Sequence, residues 1–402
     1  KTGYADSQGM SLKRGREDHH AFSSIIMAPI RTPLAFEAAR GGVFLDGAPF
    51  FLKGASFFGM ESDICVPHGL WGGDASTTLA AVASLLRSHD FNLVRLPLAV
   101  SAVAHNVVVD RWKIGNETAL LHAFEGRELR YLDVLDYVVQ ELAKQELLVL
   151  LDAHVLHPGG AIPPLWYDDA QQVSEALVVQ AWTTLATRYA GQWNVLGADL
   201  KNEPHGDASW GSGDSRVDWR LAATRLASHV LAACPRWLMF VEGVQTTSCD
   251  VSAELPCFWG ENLQAAGQYP VELSVSHRLV YSPHVYGPAV ASQPYFNATD
   301  FPANLPHVWD THFGFIKQQT EVPLVIGEWG GRHADPKDWR WQTQFAQYVE
   351  RLGVSGVVYW CVNPNGSDTD GLLADDWQTP RSEVLQLLSR FTGTALPSPT
   401  AG

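Results

Sequence analysis

Short apolar segments alternate with amphipathic segments along most of the chain, and this alternation constrains the fold more than any other feature. Each apolar segment is five to eight residues long, and the segments between them carry apolar residues at helical spacing, as Leu79, Val82 and Leu86 show. Parallel strands joined through helices require right-handed crossovers, and eight such units close most simply into a (β/α)8 barrel. The eight predicted strands are Phe51–Ser56, Phe91–Leu98, Leu147–His154, Val195–Leu200, Leu238–Gly243, Leu279–His284, Leu324–Glu328 and Gly356–Trp360.

The segments at the two ends of the chain do not follow this alternation. Asp46-Gly47, within Val43 to Phe50, predicts a β-hairpin, which could close the bottom of the barrel. Residues 1–36 have no period and are expected to form an irregular, extended tail. Residues 392–402 are rich in Pro, Thr and Ser, which is typical of a linker to a further module, such as a carbohydrate-binding one. We therefore expect a single barrel domain over residues 37–391.

The charge balance excludes several classes of partner. The chain has 43 acidic and 28 basic residues, a net charge of -15, which disfavours binding to nucleic acid or to an anionic membrane surface. No apolar run approaches the roughly 18 residues that a membrane-spanning helix needs. We expect a soluble, secreted monomer with a neutral substrate. The sequons at Asn116, Asn297 and Asn365 support secretion only weakly.

The five cysteines give a mixed signal. Cys249 and Cys257 lie eight positions apart in a loop-like stretch and are predicted to form a disulfide, whereas Cys65, Cys234 and Cys361 read as buried free thiols. The chain has no CxxC motif and no His/Cys spacing typical of a zinc site. We therefore predict neither a metal nor a cofactor.

Two predicted strands end in a carboxyl group. The stretch VLGADLKNEPHG places Asn202 and Glu203 where the strand stops, and Pro204 cannot donate to a sheet ladder. The stretch PLVIGEWGG ends a second strand at Glu328, 125 positions further on. In a barrel of this type the site lies at the carboxyl ends of the strands, so the two glutamates are expected to meet there.

Other strand ends are polar too, and seven of the eight contribute. The additional residues are Arg95, His154, Glu242, His284, Tyr286 and Trp360. Two carboxyl groups across a barrel mouth can cleave an acetal, with retention if they lie about 5 to 5.5 Å apart and with inversion if a wider gap admits water. In this arrangement Arg95 would hold Glu328 ionised, Asn202 would bond a sugar hydroxyl, and His284 and Tyr286 would orient the carboxyl groups. Glu242 is expected to be a hydrogen-bonding partner behind them.

Several ordered motifs resemble those of glycoside hydrolase family 5, in particular its bacterial-type endo-β-1,4-glucanases. They run from about Val43 to Phe391 and include NEPHG, FVEGVQ, WGENLQAAGQYPV, RLVYSPHVY, VIGEWG and NPNGSDTDGLL. The resemblance implies a retaining enzyme in which Glu203 is the acid/base and Glu328 the nucleophile. It also implies a set of residues that support catalysis or contact the sugar: Arg95, His154, Asn202, His284, Tyr286, Trp360, Trp71 and Trp259.

The resemblance leaves the substrate open. A β-mannanase, a mixed-linkage glucanase or an exo-acting β-glucosidase would use the same barrel and the same two glutamates, because loop shape decides among them. An inactive carbohydrate-binding protein is the alternative from a different class. It would be expected to lack one of the two glutamates, and both are present.

Overall fold

The computed structural model describes residues 32–246 and 255–397, and these form a barrel of parallel strands surrounded by helices. A separate antiparallel sheet of three short strands precedes the barrel. Its strands are β1 (Phe36–Ala39), β2 (Gly42–Leu45) and β3 (Ala48–Pro49). The barrel strands are β4 (Leu52–Ser56), β5 (Leu93–Ala99), β6 (Leu148–Val155), β7 (Val195–Asp199), β8 (Leu238–Val241), β9 (Leu279–Tyr281), β10 (His284–Tyr286), β11 (Val325–Gly330) and β12 (Gly356–Tyr359).

The barrel closes through its sixth position, where two strand segments replace the single predicted one. β9 pairs with β8, and β10 pairs with β11, so the short stretch from Leu279 to Tyr286 joins both edges of the sheet. Pro283 lies between the two segments and has no N–H to donate, which explains the interruption. The predicted (β/α)8 barrel is therefore confirmed, with the sixth strand divided.

The helices lie outside the strands, and their ends follow ordinary capping chemistry. Thr78 and Ser174 each cap a helix through the side-chain oxygen, and Asp335 does so ahead of Pro336. The helices are α1 (Leu79–Ser88), α2 (Val100–His105), α3 (Thr118–Ala123), α4 (Tyr131–Lys144), α5 (Glu175–Arg188), α6 (Trp219–Ala233), α7 (Leu305–Trp309), α8 (Ile316–Gln319), α9 (Pro336–Leu352) and α10 (Ser382–Leu388). A π-helical turn at Asp310–Gly314 separates α7 from α8.

The N-terminal hairpin packs against the barrel floor, as predicted. Phe36, Val43, Leu45 and Phe50 belong to one buried cluster with inward-facing residues from the barrel strands. Those strand residues include Leu93, Leu148, Leu150, Leu196, Leu238, Phe240, Val280, Val325 and Val358. Burying these apolar faces seals the barrel at the end opposite the carboxyl ends of the strands.

Several sequence predictions concern residues outside the described region. Residues 1–31, 398–402 and Cys249 lie outside it. Cys257 is buried and free, so a Cys249–Cys257 bond is not confirmed, whereas Cys65, Cys234 and Cys361 are buried free thiols as expected. A third strand, β1, adds to the predicted hairpin, and it begins at Phe36, the last residue of the expected tail. Within residues 32–246 and 255–397, no helix is both long and apolar enough to cross a membrane.

Candidate active site

Glu203 and Glu328 face each other at the carboxyl ends of β7 and β11. A carboxylate oxygen of each lies within 4.8 Å of the other and of a ring nitrogen of His284. β10 and β11 pair in parallel with His284 opposite Glu328, which fixes the lateral position of the imidazole. Both glutamates are largely buried, with 9% of Glu203 and 3% of Glu328 exposed. The two residues that the sequence placed together therefore meet in the fold.

The environment of Glu328 favours its ionised form. Arg95 donates to Glu328 Oε1, and the Tyr286 hydroxyl donates to Oε2 at 2.6 Å. Burial raises the pKa of Glu328, and the charge of Arg95 and the hydrogen bond from Tyr286 oppose that rise. The side chain is thus held at both oxygens by donors, which fits a carboxylate.

The environment of Glu203 favours its protonated form. Burial, followed by the charge on Glu328, holds the pKa of Glu203 well above its usual range. His284 Nδ1 lies 3.2 Å from Glu203 Oε1. Burial, together with nearby Arg95, holds the pKa of His284 well below its usual range, so the imidazole is neutral. Of the two facing glutamates, Glu203 therefore keeps the proton.

Arg95 is the centre of a buried polar network beneath the two glutamates. Its guanidinium donates to Asp199 Oδ2 at 2.9 Å and to Asn202 Oδ1 at 2.9 Å, and it lies 3.1 Å from Asp152 Oδ2. Because Asn202 Oδ1 accepts from Arg95, the amide orientation is fixed. Asn202 Nδ2 is buried and has no hydrogen-bond partner among the described residues. The amide is therefore set to donate to a ligand.

Trp360 forms an aromatic wall of the site. Its ring lies nearly parallel to that of Phe58, at a centroid distance of 5.5 Å and 8°, and to that of His154, at 5.6 Å and 9°. His154 Nδ1 lies 2.7 Å from Asp152 Oδ2, and this hydrogen bond fixes the orientation of the imidazole beside Trp360. Burial lowers the pKa of His154 to about 3, so this ring is neutral. A flat aromatic surface of this kind suits the apolar face of a sugar ring.

A cavity of about 470 Å³ lies above these residues. Both glutamates, His154, Tyr286, Trp259 and Trp360 line it. Arg95, Asn202 and His284 lie fully buried beneath it. The ring of Trp259 stacks on His205, with 3.6 Å between centroids, and is 39% exposed.

Trp71 lies elsewhere on the rim. Among the described residues it does not line the main cavity; its ring packs edge-on against Trp377 at 5.2 Å and lies 5.5 Å from His68. His68 in turn contacts Phe58, which stacks on Trp360. A continuous aromatic path therefore connects Trp71 to the cavity wall.

Within the described ranges, 32–246 and 255–397, three groups of side chains bring metal-ligand atoms within 4.8 Å of one another. Two of them, Glu203/His284/Glu328 and Asp199/Glu242/His284, belong to the polar network of the site. The third is Cys257, Glu261 and His312, beside the cavity. In that group Glu261 Oε1 lies 2.9 Å from His312 Nδ1, and His312 Nε2 lies 3.0 Å from the Leu255 carbonyl oxygen. These are the contacts of an ordinary buried Glu–His pair.

Comparison with known proteins identifies the family. The sequence model of Cellulase (glycosyl hydrolase family 5) matches residues 45–366, most of the chain. The chain belongs to glycosyl hydrolase family 5. An endoglucanase of Paenibacillus polymyxa is 36% identical over 372 residues, covering 88% of this chain and 89% of that relative. The major extracellular endoglucanase of Xanthomonas campestris is 37% identical over 346 residues, covering 86% of this chain and 68% of the relative.

Solved structures of this hydrolase family superpose on the chain. An endocellulase variant from Pyrococcus horikoshii in complex with cellotetraose is 34% identical, with a TM-score of 0.81 over 89% of this chain and 98% of that one. The catalytic domain of the Xanthomonas campestris endoglucanase is 35% identical, with a TM-score of 0.78 over 88% of this chain and 99% of that one. The expected family resemblance and the barrel fold are both confirmed.

Three buried residues of this family 5 hydrolase were missed by the sequence analysis. Asp152, Asp199 and Lys201 all contact the network around Arg95 or Asn202. Burial raises the pKa of both Asp152 and Asp199 to about 7 and lowers that of Lys201 to about 8. The sequence did contain a signal for Asp152, because this residue precedes His154 by two positions and residues two apart in a strand share a face.

Proposed function

We propose that this family 5 hydrolase is a secreted, retaining endo-β-1,4-glucanase that cleaves internal bonds of cellulose or related β-glucans. The observation that carries the proposal is the pair of facing carboxyl groups with oxygens within 4.8 Å of each other. That spacing is close to the roughly 5 to 5.5 Å of a retaining pair and shorter than the roughly 6.5 to 9.5 Å that admits an attacking water. The unequal surroundings of the two groups supply one acid and one nucleophile.

In the first step, a Glu328 oxygen forms a bond to the anomeric carbon while the bond to the leaving oxygen breaks. Glu203 gives its proton to that oxygen, so the departing chain leaves as a neutral alcohol. Negative charge is thereby lost from Glu328 and appears on Glu203. In the second step, Glu203 takes a proton from water, which attacks the same carbon and releases Glu328 as a carboxylate. Two inversions give net retention.

The supporting residues fit these two steps. Arg95 and Tyr286 hold the Glu328 oxygens in place, so little reorganisation is needed when charge leaves the carboxylate. The unpartnered Asn202 Nδ2 is suited to donate to the 2-hydroxyl of the sugar at the reacting carbon. Trp360 and Trp259 offer aromatic faces to the sugar rings on the cavity wall.

The choice of glucan follows the relatives. The Paenibacillus and Xanthomonas relatives are named endoglucanases, and the Pyrococcus structure holds cellotetraose. The name of the Xanthomonas protein, a major extracellular endoglucanase, supports placement outside the cell. We propose that the protein acts as a monomer on its polysaccharide and that a carbohydrate-binding module can follow the C-terminal linker.

The test is the near-isosteric variant Glu328→Gln, with Glu175→Gln as control. Glu175 is a part-exposed carboxylate paired with Arg225, away from the cavity. Glu328→Gln is expected to lower turnover of carboxymethylcellulose by about 10⁴-fold or more while the unfolding temperature changes little. Glu175→Gln should keep wild-type turnover. Residual activity near the wild-type level in Glu328→Gln would refute the nucleophile assignment.

Product analysis of the wild-type protein completes the test. Proton NMR of fresh cellotetraose digests should show the β anomer first, and carboxymethylcellulose should lose viscosity early. An α anomer as the first product would refute the double displacement. Faster cleavage of mannan than of β-1,4-glucan, or release of glucose alone, would refute the substrate assignment.

A further inference from the structure

Glu242 contacts the backbone of Glu203 at an unusual conformation. Glu203 has φ = +51°, in the left-handed region that residues with a Cβ rarely adopt. Glu242 Oε2 accepts a hydrogen bond from the Glu203 N–H at 2.7 Å, and His205 Nδ1 contacts the Glu203 carbonyl oxygen at 2.8 Å. Such a conformation persists only where the surroundings hold it. Glu242 is therefore one of the groups that fix the main chain of Glu203.

Glu242 also faces the imidazole that contacts the Glu203 carboxyl group. Glu242 Oε1 lies 3.1 Å from His284 Nε2, and neither atom has a hydrogen-bond partner elsewhere among the described residues. The other ring nitrogen, His284 Nδ1, lies 3.2 Å from Glu203 Oε1. Glu242 thus reaches Glu203 twice, directly at the amide and through His284 at the carboxyl group.

The fold leaves room for this arrangement at one glycine. Gly260 has φ = +72°, and a Cβ at this position would lie 2.3 Å from Glu242 Oε2 and 3.4 Å from the Glu203 Cα. Any side chain there would displace Glu242 from the Glu203 amide. Glu242 itself is fully buried and does not line the cavity, so it cannot touch the substrate.

We propose that Glu242 is a positioning residue for proton donation, which holds Glu203 and His284 in the geometry that protonates the leaving oxygen. This proposal rests on the function proposed above for Glu203. Glu242 bonds directly to one of the two glutamates, at the Glu203 N–H, and reaches Glu328 only indirectly, through His284 and Arg95. Loss of Glu242 should therefore impair proton donation more than nucleophilic attack.

Two substrates separate these effects. Cellotetraose needs a proton on its leaving oxygen, whereas 2,4-dinitrophenyl β-cellobioside has a leaving group that departs without one. For both, kcat/KM reports the steps up to departure of the leaving group. A general acid contributes about 10²- to 10⁴-fold. Glu242→Leu is expected to lower kcat/KM on cellotetraose by about 100-fold and on the aryl glycoside by less than about 3-fold.

The conservative variant Glu242→Gln should recover much of this loss, because its amide oxygen can still accept from the Glu203 N–H. A fall of about 10-fold on cellotetraose, again with little change on the aryl glycoside, is expected. Circular dichroism and thermal unfolding establish that each variant is folded. If Glu242→Leu does not fold, Glu242→Gln carries the test by the same comparison.

Glu261 provides a matched control. It is equally buried, accepts a hydrogen bond from the Phe258 N–H at 2.8 Å and lies 2.9 Å from His312, but among the described residues it makes no hydrogen bond or ion pair with Glu203. Glu261→Gln should leave the ratio of the two kcat/KM values at the wild-type level. Equal losses on both substrates in the Glu242 variants, or no loss on either, would overturn the positioning role. Failure of the proposed function would show differently, as wild-type protein that cleaves neither substrate or that yields the α anomer.

Discussion

Replacement of Arg95 by lysine tests whether the shape of the guanidinium, and not only its charge, holds the site together. Arg95 is fully buried, and its three nitrogens make polar contacts of 3.1 Å or less with four side chains, whereas Glu242 lies further away at 3.6 Å. A lysine ammonium keeps the positive charge but has three donors on one atom and cannot match this planar fork. The change therefore leaves the charge balance of the network intact and alters its geometry.

The size of the effect can be worked from these contacts. Nε donates to Asp199, Nη1 donates to Glu328, and Nη2 donates to Asn202 and contacts Asp152. One ammonium that reaches two of these four side chains therefore loses the other two. Each lost hydrogen bond involving a buried charge costs about 1.5 to 3 kcal/mol. Asp152 Oδ1 and Asp199 Oδ1 already lack partners among the described residues, so the loss is not recovered locally. We expect a destabilisation of about 3 to 6 kcal/mol.

The control is Arg188→Lys. Arg188 makes a two-point contact with Asp136 on the outer surface, where the arginine side chain is 34% exposed, and such pairs contribute about 0 to 1 kcal/mol. Urea unfolding followed by tryptophan fluorescence measures both variants against wild type. The cellotetraose kcat should also fall in Arg95→Lys, because Asn202 and Glu328 lose their fixed donor. A difference between the two variants of less than about 1 kcal/mol would refute the reasoning.

Two further predictions concern the rim of the cavity and the titration of the network. His205→Ala removes the ring stacked beneath Trp259, a contact worth about 1 kcal/mol, so the cellotetraose KM should rise about fivefold. It also removes the contact with the Glu203 carbonyl oxygen, so kcat should fall as well. Steady-state kinetics measures this, and a fall in kcat with unchanged KM would contradict it. Burial raises the pKa of Asp199 to about 7, against about 3.9 in the unfolded chain. The native state then binds more protons between these values, so wild-type stability relative to Asp199→Asn should fall as pH rises from about 4 to about 7. Urea unfolding across this range checks the sign, and a rise would contradict it.

The order of strands and helices was predictable because long segments carry a clear period. Leu79, Val82 and Leu86, which have helical spacing in the sequence, all lie on α1 (Leu79–Ser88). Short elements were not predictable: α2 and α3 have six residues each, fewer than the 11 to 18 over which a period is measured. The helical segment before β11 is divided into α7 and α8 by a π-helical turn, which apolar spacing does not specify.

The candidate site was predictable where a polar residue ends an apolar strand. Glu203, Glu328 and His284 stand out in this way, and all three come together. Asp199 and Lys201 were read as part of a strand and its end, although the charged residues Asp199, Lys201 and Glu203 occupy alternate positions there. Trp71 matched a sequence motif, but its distance from the cavity depends on the packing of loops against Trp377 and His68. Loop packing of this kind has no local sequence signal.

The charge balance beneath the cavity explains why one glutamate of the pair keeps its proton. The neutral state of His154 and His284, set by burial, leaves two buried cations against five buried carboxyl groups, so the carboxyl groups cannot all be ionised. The two cations are Arg95 and Lys201, and the five carboxyl groups are those of Asp152, Asp199, Glu203, Glu242 and Glu328. Direct bonds from Arg95 and Tyr286 favour the charged form of Glu328, whereas Glu203 has no such cation on its carboxyl oxygens among the described contacts. A proton shared within this network is therefore bound by Glu203, which can donate it to the leaving oxygen.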